Sequence, residues 1–298
     1  MNQLSRRELL RIAAGLGLTL AWPGLTQAGD EWVNVPPALM LHTRDNRQAF
    51  LPPLLERLQE AGIQSITYKA WRQRALNRML TDDNLVMLVV DDLSMAQGNP
   101  SFEAFERMCG WFREAQMPAV FAIITAHDQP QVADRWDTVA GWAAAGFELA
   151  THTAYHSNLN AEDTTPRGDF RAANYRFEIT DSARFIEEQV RARGLLHYTV
   201  STLVTPYGSG YAYQQPQPAL HAPVVEACRA ASIRMVVGIV QGRDPLPLAA
   251  LRDDVVYLGR TPPGYRHDED GALLPDTGIT FRYLDDWRQV NLHRRRQV

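Results

Sequence analysis

Short apolar runs alternate with longer amphipathic stretches along most of this chain, starting near residue 37. Apolar runs of four to seven residues are typical of strands, and apolar positions that recur every three or four residues are typical of helices. The unbroken apolar run at residues 85–90 is typical of a strand that is buried on both faces of a sheet. The pattern predicts strands at residues 38–42, 63–68, 85–90, 119–124, 147–150, 198–204, 235–240 and 255–258, and helices at 49–61, 71–79, 102–114, 131–145, 181–193 and 222–231.

Strands that alternate with helices predict an α/β protein with a parallel sheet. The number of strand–helix units and the lack of an obvious linker favour a distorted (β/α) barrel of about seven parallel strands. A doubly wound open sheet is the alternative. We expect one domain over residues 29–298, with Thr180 or Asp181 capping the helix that begins there. The residues after the last predicted strand carry the weakest pattern.

The N-terminal residues have the pattern of an export signal. Arg6 and Arg7 precede an apolar run at residues 12–20, and small residues follow, ending at Ala28. The run is too short for a permanent membrane span. The pattern predicts a removable signal over residues 1–28, the twin-arginine route and a periplasmic protein. A frayed amphipathic helix is the alternative.

Composition narrows the function classes. The chain has 298 residues, of which 45% are hydrophobic and 21% are charged, as in ordinary globular proteins. The net charge of −4 gives no support to an electrostatic nucleic-acid binder. The two cysteines, Cys109 and Cys228, could form one bridge, but buried thiols are the preferred interpretation.

Polar residues that follow the apolar runs are the candidates for chemistry, because the functional loops of parallel α/β folds gather at the C-terminal ends of strands. Asp91 and Asp92 come directly after one run, and His152 and His156 follow another. Histidines four residues apart lie on one face of a helical turn and can reach one ion. Two imidazoles and one carboxylate form a three-ligand set that leaves coordination positions open for water and substrate. The alternatives are a capping Asp pair and packed histidines.

These residues carry a resemblance to a known family. The chain resembles the NodB-homology polysaccharide deacetylases, carbohydrate esterase family 4, over about residues 37 to 240. The family's first motif, a strand ending in Asp-Asp, corresponds to Asp91 and Asp92. Its second motif, His-Ser/Thr-x-x-His, corresponds to residues 152–156, and its third motif retains Pro206, Tyr207 and Gly208.

The resemblance implies a role for each of these residues. Asp92, His152 and His156 would hold a divalent metal, with zinc preferred and cobalt or nickel as alternatives. Asp91 would be the general base that activates the attacking water. The backbone N–H of Tyr207 would help to hold the oxyanion of the tetrahedral intermediate.

The general acid is expected at the front of the chain. Most of the family carries it on a late strand in a Leu-x-His motif, and no convincing example follows residue 240. The run ending in His42 has that form, in a layout that resembles the circularly permuted branch with the bacterial exopolysaccharide de-N-acetylases. His42 is therefore the expected acid, and a structural histidine is the alternative.

The third motif departs from the family pattern. The family's Arg, which orients the catalytic base, corresponds to Val204 or Thr205, so any replacement must come from elsewhere, with Arg243, Arg252 and Arg260 as candidates. This departure raises the prospect of weakened activity. Pro206, Gly208 and Tyr211, with Tyr213, lie on a Gly-containing loop that is expected to contact substrate, although tyrosines in loops are more often packing residues. His127 is expected to be structural.

The leading hypothesis is a metal-dependent hydrolase that removes N-acetyl or O-acetyl groups from a cell-envelope or exported polysaccharide. The acetylated polysaccharide is then the expected partner, with no nucleic acid and no lasting membrane span. Two alternatives remain open. One is an amide hydrolase for a small non-sugar substrate, and the other is a catalytically silent carbohydrate-binding domain.

Overall fold

The computed structural model describes residues 32–43, 48–79, 84–96, 102–160, 174–212, 218–239, 245–268 and 270–295. The predicted export signal, Tyr213 and Arg243 lie outside these described residues. All described residues belong to one compact unit, Trp32–Val298. None of the described helices is long and apolar enough to cross a membrane.

Eight parallel strands form the central sheet, and we number them in chain order. They are β1 (Ala38–Leu41), β2 (Gln64–Ser65), β3 (Leu85–Leu93), β4 (Val120–Ile123), β5 (Glu148–Thr151), β6 (Thr202–Val204), β7 (Met235–Gly238) and β8 (Val256–Gly259). Seven strands run in the order β8-β7-β6-β5-β4-β3-β1, and the short β2 pairs with the first residues of β3. This arrangement confirms the predicted barrel.

The barrel closes between its first and last strands. Leu39 of β1 forms a parallel bridge with Thr261, two residues beyond β8. Two backbone hydrogen bonds complete this bridge, Met40 N to Thr261 O at 2.8 Å and Thr261 N to Ala38 O at 2.9 Å. The residues that follow β8 therefore lie directly beside the end of β1.

Helices cover the outside of the barrel. The described α-helices are α1 (Leu51–Glu60), α2 (Tyr68–Leu76), α3 (Phe102–Glu114), α4 (Ala133–Ala144), α5 (Ser182–Arg191), α6 (Ala222–Ala230), α7 (Leu248–Asp253) and α8 (Thr277–Arg295). In α1 the buried residues Leu51, Leu54, Leu55 and Leu58 recur at helical spacing, so one apolar face packs on the sheet. A π-helical turn, Arg176–Asp181, leads into α5.

Two apolar cores follow from the alternation of side chains along the strands. On β3, Val86, Leu88 and Val90 belong to the core between strands and helices, whereas Met87 and Val89 belong to the core inside the barrel. Tyr68 and Trp71 of α2 are fully buried in the inner core as well. The interior is therefore packed with side chains, and a cavity for chemistry has to form at an end of the barrel.

Three local predictions differ from the structure. Residues 66–68 do not continue the strand β2, because the Thr67 hydroxyl accepts a hydrogen bond from Ala70 N and caps α2. Neither Thr180 nor Asp181 caps a helix with its side chain, since both lie within the π-helical turn and the Thr180 hydroxyl donates to Ala227 O. The weakly patterned C-terminal region contains α8, which buries Leu284 and Trp287.

Candidate active site

The alternation of strand side chains brings four polar residues to the C-terminal mouth of the barrel. Along each of four strands, the last inward-facing position before the strand end is apolar, and the next inward position is polar. These polar residues are His42 after β1, Asp91 in β3, His152 after β5 and Arg260 after β8. Parallel strands end at the same edge, so the four side chains converge on one pocket.

A β-bulge adds Asp92 to this group. Strict alternation would turn Asp92 away from the barrel, but the pairing of β3 with β4 shifts register between Val90 and Leu93. Asp92 also has a left-handed backbone, with a φ of 70°. A bulge re-aims side chains, and a non-glycine residue at positive φ is a costly feature that is typical of functional sites. Both carboxylates therefore line the pocket.

Asp92, His152 and His156 form a cluster with the composition of a metal site. The Oδ1 of Asp92 lies 3.6 Å from Nε2 of His152 and 3.3 Å from Nε2 of His156. One ligand atom from each residue lies within 4.8 Å of the others. One carboxylate and two imidazoles are ligands that zinc and similar divalent ions accept, so the donor set fits such an ion.

The second nitrogen of each imidazole has a hydrogen-bond partner. Nδ1 of His152 donates to the carbonyl oxygen of Val204 at 2.7 Å, and Nδ1 of His156 shares a hydrogen bond with Tyr207 Oη at 3.0 Å. A carbonyl can only accept, so Nδ1 of His152 carries a proton, and Nε2 is the ring atom left to bind a metal. Fixing the tautomer in this way is typical of metal-binding histidines.

The loop that carries the two histidines is irregular, so the prediction of a helical turn was wrong. Thr153 and His156 have left-handed backbones, with φ values of 66° and 57°. The buried carboxylate of Glu178 stabilises the loop by accepting hydrogen bonds from Ala154 N and Tyr155 N. Both rings thus face the Asp92 carboxylate, through a local geometry that differs from the expected helical turn.

Arg260 pairs directly with Asp91. Its Nη1 donates to Asp91 Oδ1, and both side chains are almost completely buried. Of the other candidates for the missing third-motif Arg, Arg252 is an exposed residue of α7, and Arg243 lies outside the described residues. Arg260 follows Val256 and Leu258 at intervals of two residues, so it lies on the same inward face as these β8 side chains. This two-residue spacing is the sequence signal that favours Arg260 over the other candidates.

His42 lies on the other side of Asp91. Its Nε2 is 3.8 Å from Asp91 Oδ2, and its side chain is 36% exposed. Nε2 of His152 lies 4.0 Å from the same carboxylate oxygen. Asp91 is thus surrounded by one buried guanidinium and two imidazoles.

The pocket has a volume of about 280 Å³. Its lining also includes Met40, Tyr207 and Ile239. Pro206 and Gly208 flank Tyr207 in the chain but are not among the lining residues. Tyr211 is not a lining residue, since its ring packs 4.6 Å from that of Tyr257.

The electrostatics of the cluster favour a charged Asp92. Burial by itself would raise the pKa of Asp92, but the hydrogen bond and positive charge of His152, with the charges of His156 and His42, outweigh it. The pKa of Asp92 is therefore well below its usual range. An ionised carboxylate is the form that binds a cation.

His127 and the two cysteines lie outside the pocket and pack against other parts of the fold. The His127 ring stacks 4.3 Å from Phe177 and 5.8 Å from Phe185, and its Nδ1 contacts Thr125 Oγ1 at 3.2 Å. Cys109 and Cys228 are buried free thiols, in agreement with the preferred interpretation. Burial raises the pKa of the Cys109 thiol to about 12.

Comparisons with known proteins agree with this geometry. A family model described as polysaccharide deacetylase matches residues 78–216, which include the Asp91–Asp92 pair, the two histidines of the cluster and Tyr207. No curated protein sequence matches the chain. Among solved structures, IcaB from Ammonifex degensii has a TM-score of 0.55 at 15% identity, covering 86% of this chain and 97% of its own.

Two further solved structures share the fold. The BpsB deacetylase domain from Bordetella bronchiseptica has a TM-score of 0.54 at 17% identity, covering 79% of this chain and 98% of its own. The Streptococcus pyogenes deacetylase PplD, solved with acetate, has a TM-score of 0.53 at 15% identity, covering 77% and 93%. The polysaccharide deacetylase model thus matches the part of the chain that carries the two motifs, and the solved deacetylase structures share the barrel fold.

Proposed function

We propose that the protein is a metal-dependent hydrolase that removes N-acetyl groups, or alternatively O-acetyl groups, from a cell-envelope or exported polysaccharide. One observation carries this proposal. A three-ligand cluster, a carboxylate paired with a buried arginine, and a partly exposed histidine line a single pocket. These are the components that hydrolysis of an acyl bond needs, namely an electrophile, a base and an acid.

Asp92, His152 and His156 would hold the metal. A divalent ion in this cluster would polarise the acyl carbonyl and lower the pKa of water. Zinc is the proposed ion, with cobalt or nickel as alternatives, because imidazole and carboxylate suit all three.

Asp91 is the proposed general base. Its carboxylate lies beside the ligand cluster and accepts the proton of the attacking water. The buried guanidinium of Arg260 orients this carboxylate and compensates its charge. Without such a partner, a buried carboxylate would be strongly destabilising in its charged form. Arg260, the residue directly after β8, thus supplies the cation that the third motif lacks.

His42 is the proposed general acid. The amine that leaves an N-acetyl group is a poor leaving group unless it takes up a proton as the carbon–nitrogen bond breaks. His42 lies next to Asp91, and its partial exposure lets it exchange protons with solvent. The backbone N–H of Tyr207, at the pocket wall, would donate a hydrogen bond to the oxyanion.

The Arg260–Asp91 pair supports an active enzyme over a silent carbohydrate-binding domain, since binding alone has no need of a buried base with its own cation. For the location, we propose export to the periplasm by the twin-arginine route. Arg6, Arg7 and the apolar run that follows them support this location.

Asp91→Asn tests the proposal. Asparagine has the shape of aspartate but cannot take up the proton of water. The expected result is at least a 1,000-fold slower release of acetate from chitooligosaccharides, with the metal content of the wild type. Metal content by elemental analysis and thermal unfolding serve as controls. Wild-type rates in a folded, metal-loaded Asp91→Asn variant would rule out the proposed base.

A further inference from the structure

The two histidines of the ligand cluster are oriented by very different groups. The His152 ring is 99% buried, and its Nδ1 donates to a main-chain carbonyl of the barrel wall, Val204 O. The His156 ring is partly exposed, and its Nδ1 bonds to a side chain, the hydroxyl of Tyr207. A main-chain carbonyl therefore orients Nδ1 of one histidine, whereas a side-chain hydroxyl contacts Nδ1 of the other.

Tyr207 is not in an ordinary surface position. It remains 57% exposed, yet its backbone has a left-handed φ of 55°. Its ring lies edge-on against His156, with 4.6 Å between centroids and an interplanar angle of 66°. A non-glycine residue at positive φ carries a conformational cost, which persists only where other contacts hold the residue in place.

We propose that the Tyr207 side chain is a positioning residue for the metal site, which sets the ring of His156 so that its Nε2 faces Asp92 and His152. This role rests on the proposed metal-dependent function, and it is separate from the role of the Tyr207 backbone N–H. The hydroxyl fixes the position of Nδ1, and the edge-on contact fixes the plane of the ring. Both effects lower the entropy that His156 would lose on binding an ion.

Metal affinity measured without substrate tests this proposal independently of turnover. The full-length protein would be stripped with a chelator and titrated with Zn²⁺ against a chromophoric competitor. Tyr207→Phe keeps the ring contact and loses the hydroxyl, and Tyr207→Ala loses both. We expect the affinity to fall about 10-fold in Tyr207→Phe and further in Tyr207→Ala.

Tyr211→Phe is the matched control. It loses a hydroxyl four residues away, on a ring that packs against Tyr257 and not on the pocket. Its Zn²⁺ affinity should equal that of the wild type. Thermal unfolding of the apo proteins shows whether each variant is folded.

The outcomes separate the two proposals. Wild-type affinity in Tyr207→Phe, within twofold, would overturn the positioning role and leave the metal site intact. An equal loss in Tyr211→Phe would overturn it too, because the effect would then belong to the loop. A wild-type protein that binds no Zn²⁺, Co²⁺ or Ni²⁺ would overturn both this role and the proposed function.

Discussion

Two buried carboxylates mark the two ends of the barrel, and their surroundings differ. Asp91 lies at the C-terminal mouth, in the pocket, against the Arg260 guanidinium and 3.8 Å from His42. Glu148 is the first residue of β5, at the opposite end. Between the two ends lies the packed inner core, including Tyr68 and Met87.

The partners of Glu148 are neutral hydrogen-bond donors. Its Oε2 accepts from Lys69 N at 2.8 Å, in the first turn of α2, and its Oε1 accepts from Thr202 Oγ1 at 2.6 Å. Burial raises the pKa of Glu148, although these hydrogen bonds, another from Thr67 and the charge of Lys69 act in the opposite direction. The side chain thus joins α2, β5 and β6 at the closed end of the barrel.

The difference shows that a perturbed pKa does not by itself identify an active site. Glu148 has the raised pKa that is often found in catalytic acids, but it is sealed from solvent and its hydrogen bonds join structural elements. Asp91 is distinguished by its location, because it faces a cavity, a cation and an imidazole together. Geometry therefore decides which carboxylate can do chemistry.

Among Arg260, His42 and Glu148, replacing Arg260, the cation at the mouth, should have the largest effect. In Arg260→Met the carboxylate of Asp91 stays buried without its partner, so we expect acetate release to fall at least 100-fold. The free energy of unfolding, measured in denaturant, should fall by about 3–5 kcal/mol. Arg260→Lys keeps the charge and should lie between Arg260→Met and the wild type.

A double variant supplies the control for this prediction. Adding Asp91→Asn to Arg260→Met removes the uncompensated charge, so the double variant should be more stable than Arg260→Met alone. If the loss of unfolding free energy in the double variant equalled the sum of the losses in the two single variants, there would be no coupling between Arg260 and Asp91.

Removing the candidate acid should have an intermediate effect that depends on the leaving group. In His42→Ala we expect about 10- to 100-fold slower deacetylation of N-acetyl substrates, because the departing amine needs a proton. Hydrolysis of 4-nitrophenyl acetate should change much less, since nitrophenolate leaves without one. Metal content should stay the same. An equal loss on both substrates would argue against His42 as the acid.

Changing the carboxylate at the closed end should have the smallest effect. Glu148→Gln keeps the shape and the bond from Lys69 N, so we expect acetate release within about twofold of the wild type. The free energy of unfolding at neutral pH should change by no more than about 1 kcal/mol. A loss of activity as large as that of Asp91→Asn would erase the proposed contrast between the two ends.

The stability of the wild type relative to Glu148→Gln should depend on pH. Folding raises the pKa of this carboxyl, so the folded state binds its proton more tightly than the unfolded state. The burial cost is therefore present above the raised pKa and is relieved as the pH falls through it. Relative to Glu148→Gln, the wild type should gain stability on acidification, which denaturation at several pH values can measure.

The sequence was sufficient to predict the barrel and the converging strand ends. Buried parallel strands need unbroken apolar runs, so β3 and β7 were recognisable from the composition of a few residues. The polar residues that follow these runs were recognisable as strand-end residues in the same way. Asp91 and His152 are therefore predictable as neighbours from the sequence alone.

Long-range and irregular features were not predictable in the same way. The pairing of Arg260 with Asp91 depends on closure of the barrel between β1 and the residues after β8, which no local pattern specifies. The left-handed backbones of Asp92, Thr153 and His156 contradict local preference, because contacts from other parts of the chain hold them. The helix α8 was not predicted, because its sequence is only weakly amphipathic.

The most direct test of the central claim is a metal titration of acetate release. Protein stripped with a chelator should release no acetate from chitooligosaccharides, and activity should rise linearly with added Zn²⁺ up to one ion per chain. His152→Ala, which lacks one ligand, should gain no activity over the same range. Full activity in the stripped protein, or none at any metal content on N-acetylated and O-acetylated polysaccharides, would contradict the assignment of this pocket as a metal-dependent deacetylase site.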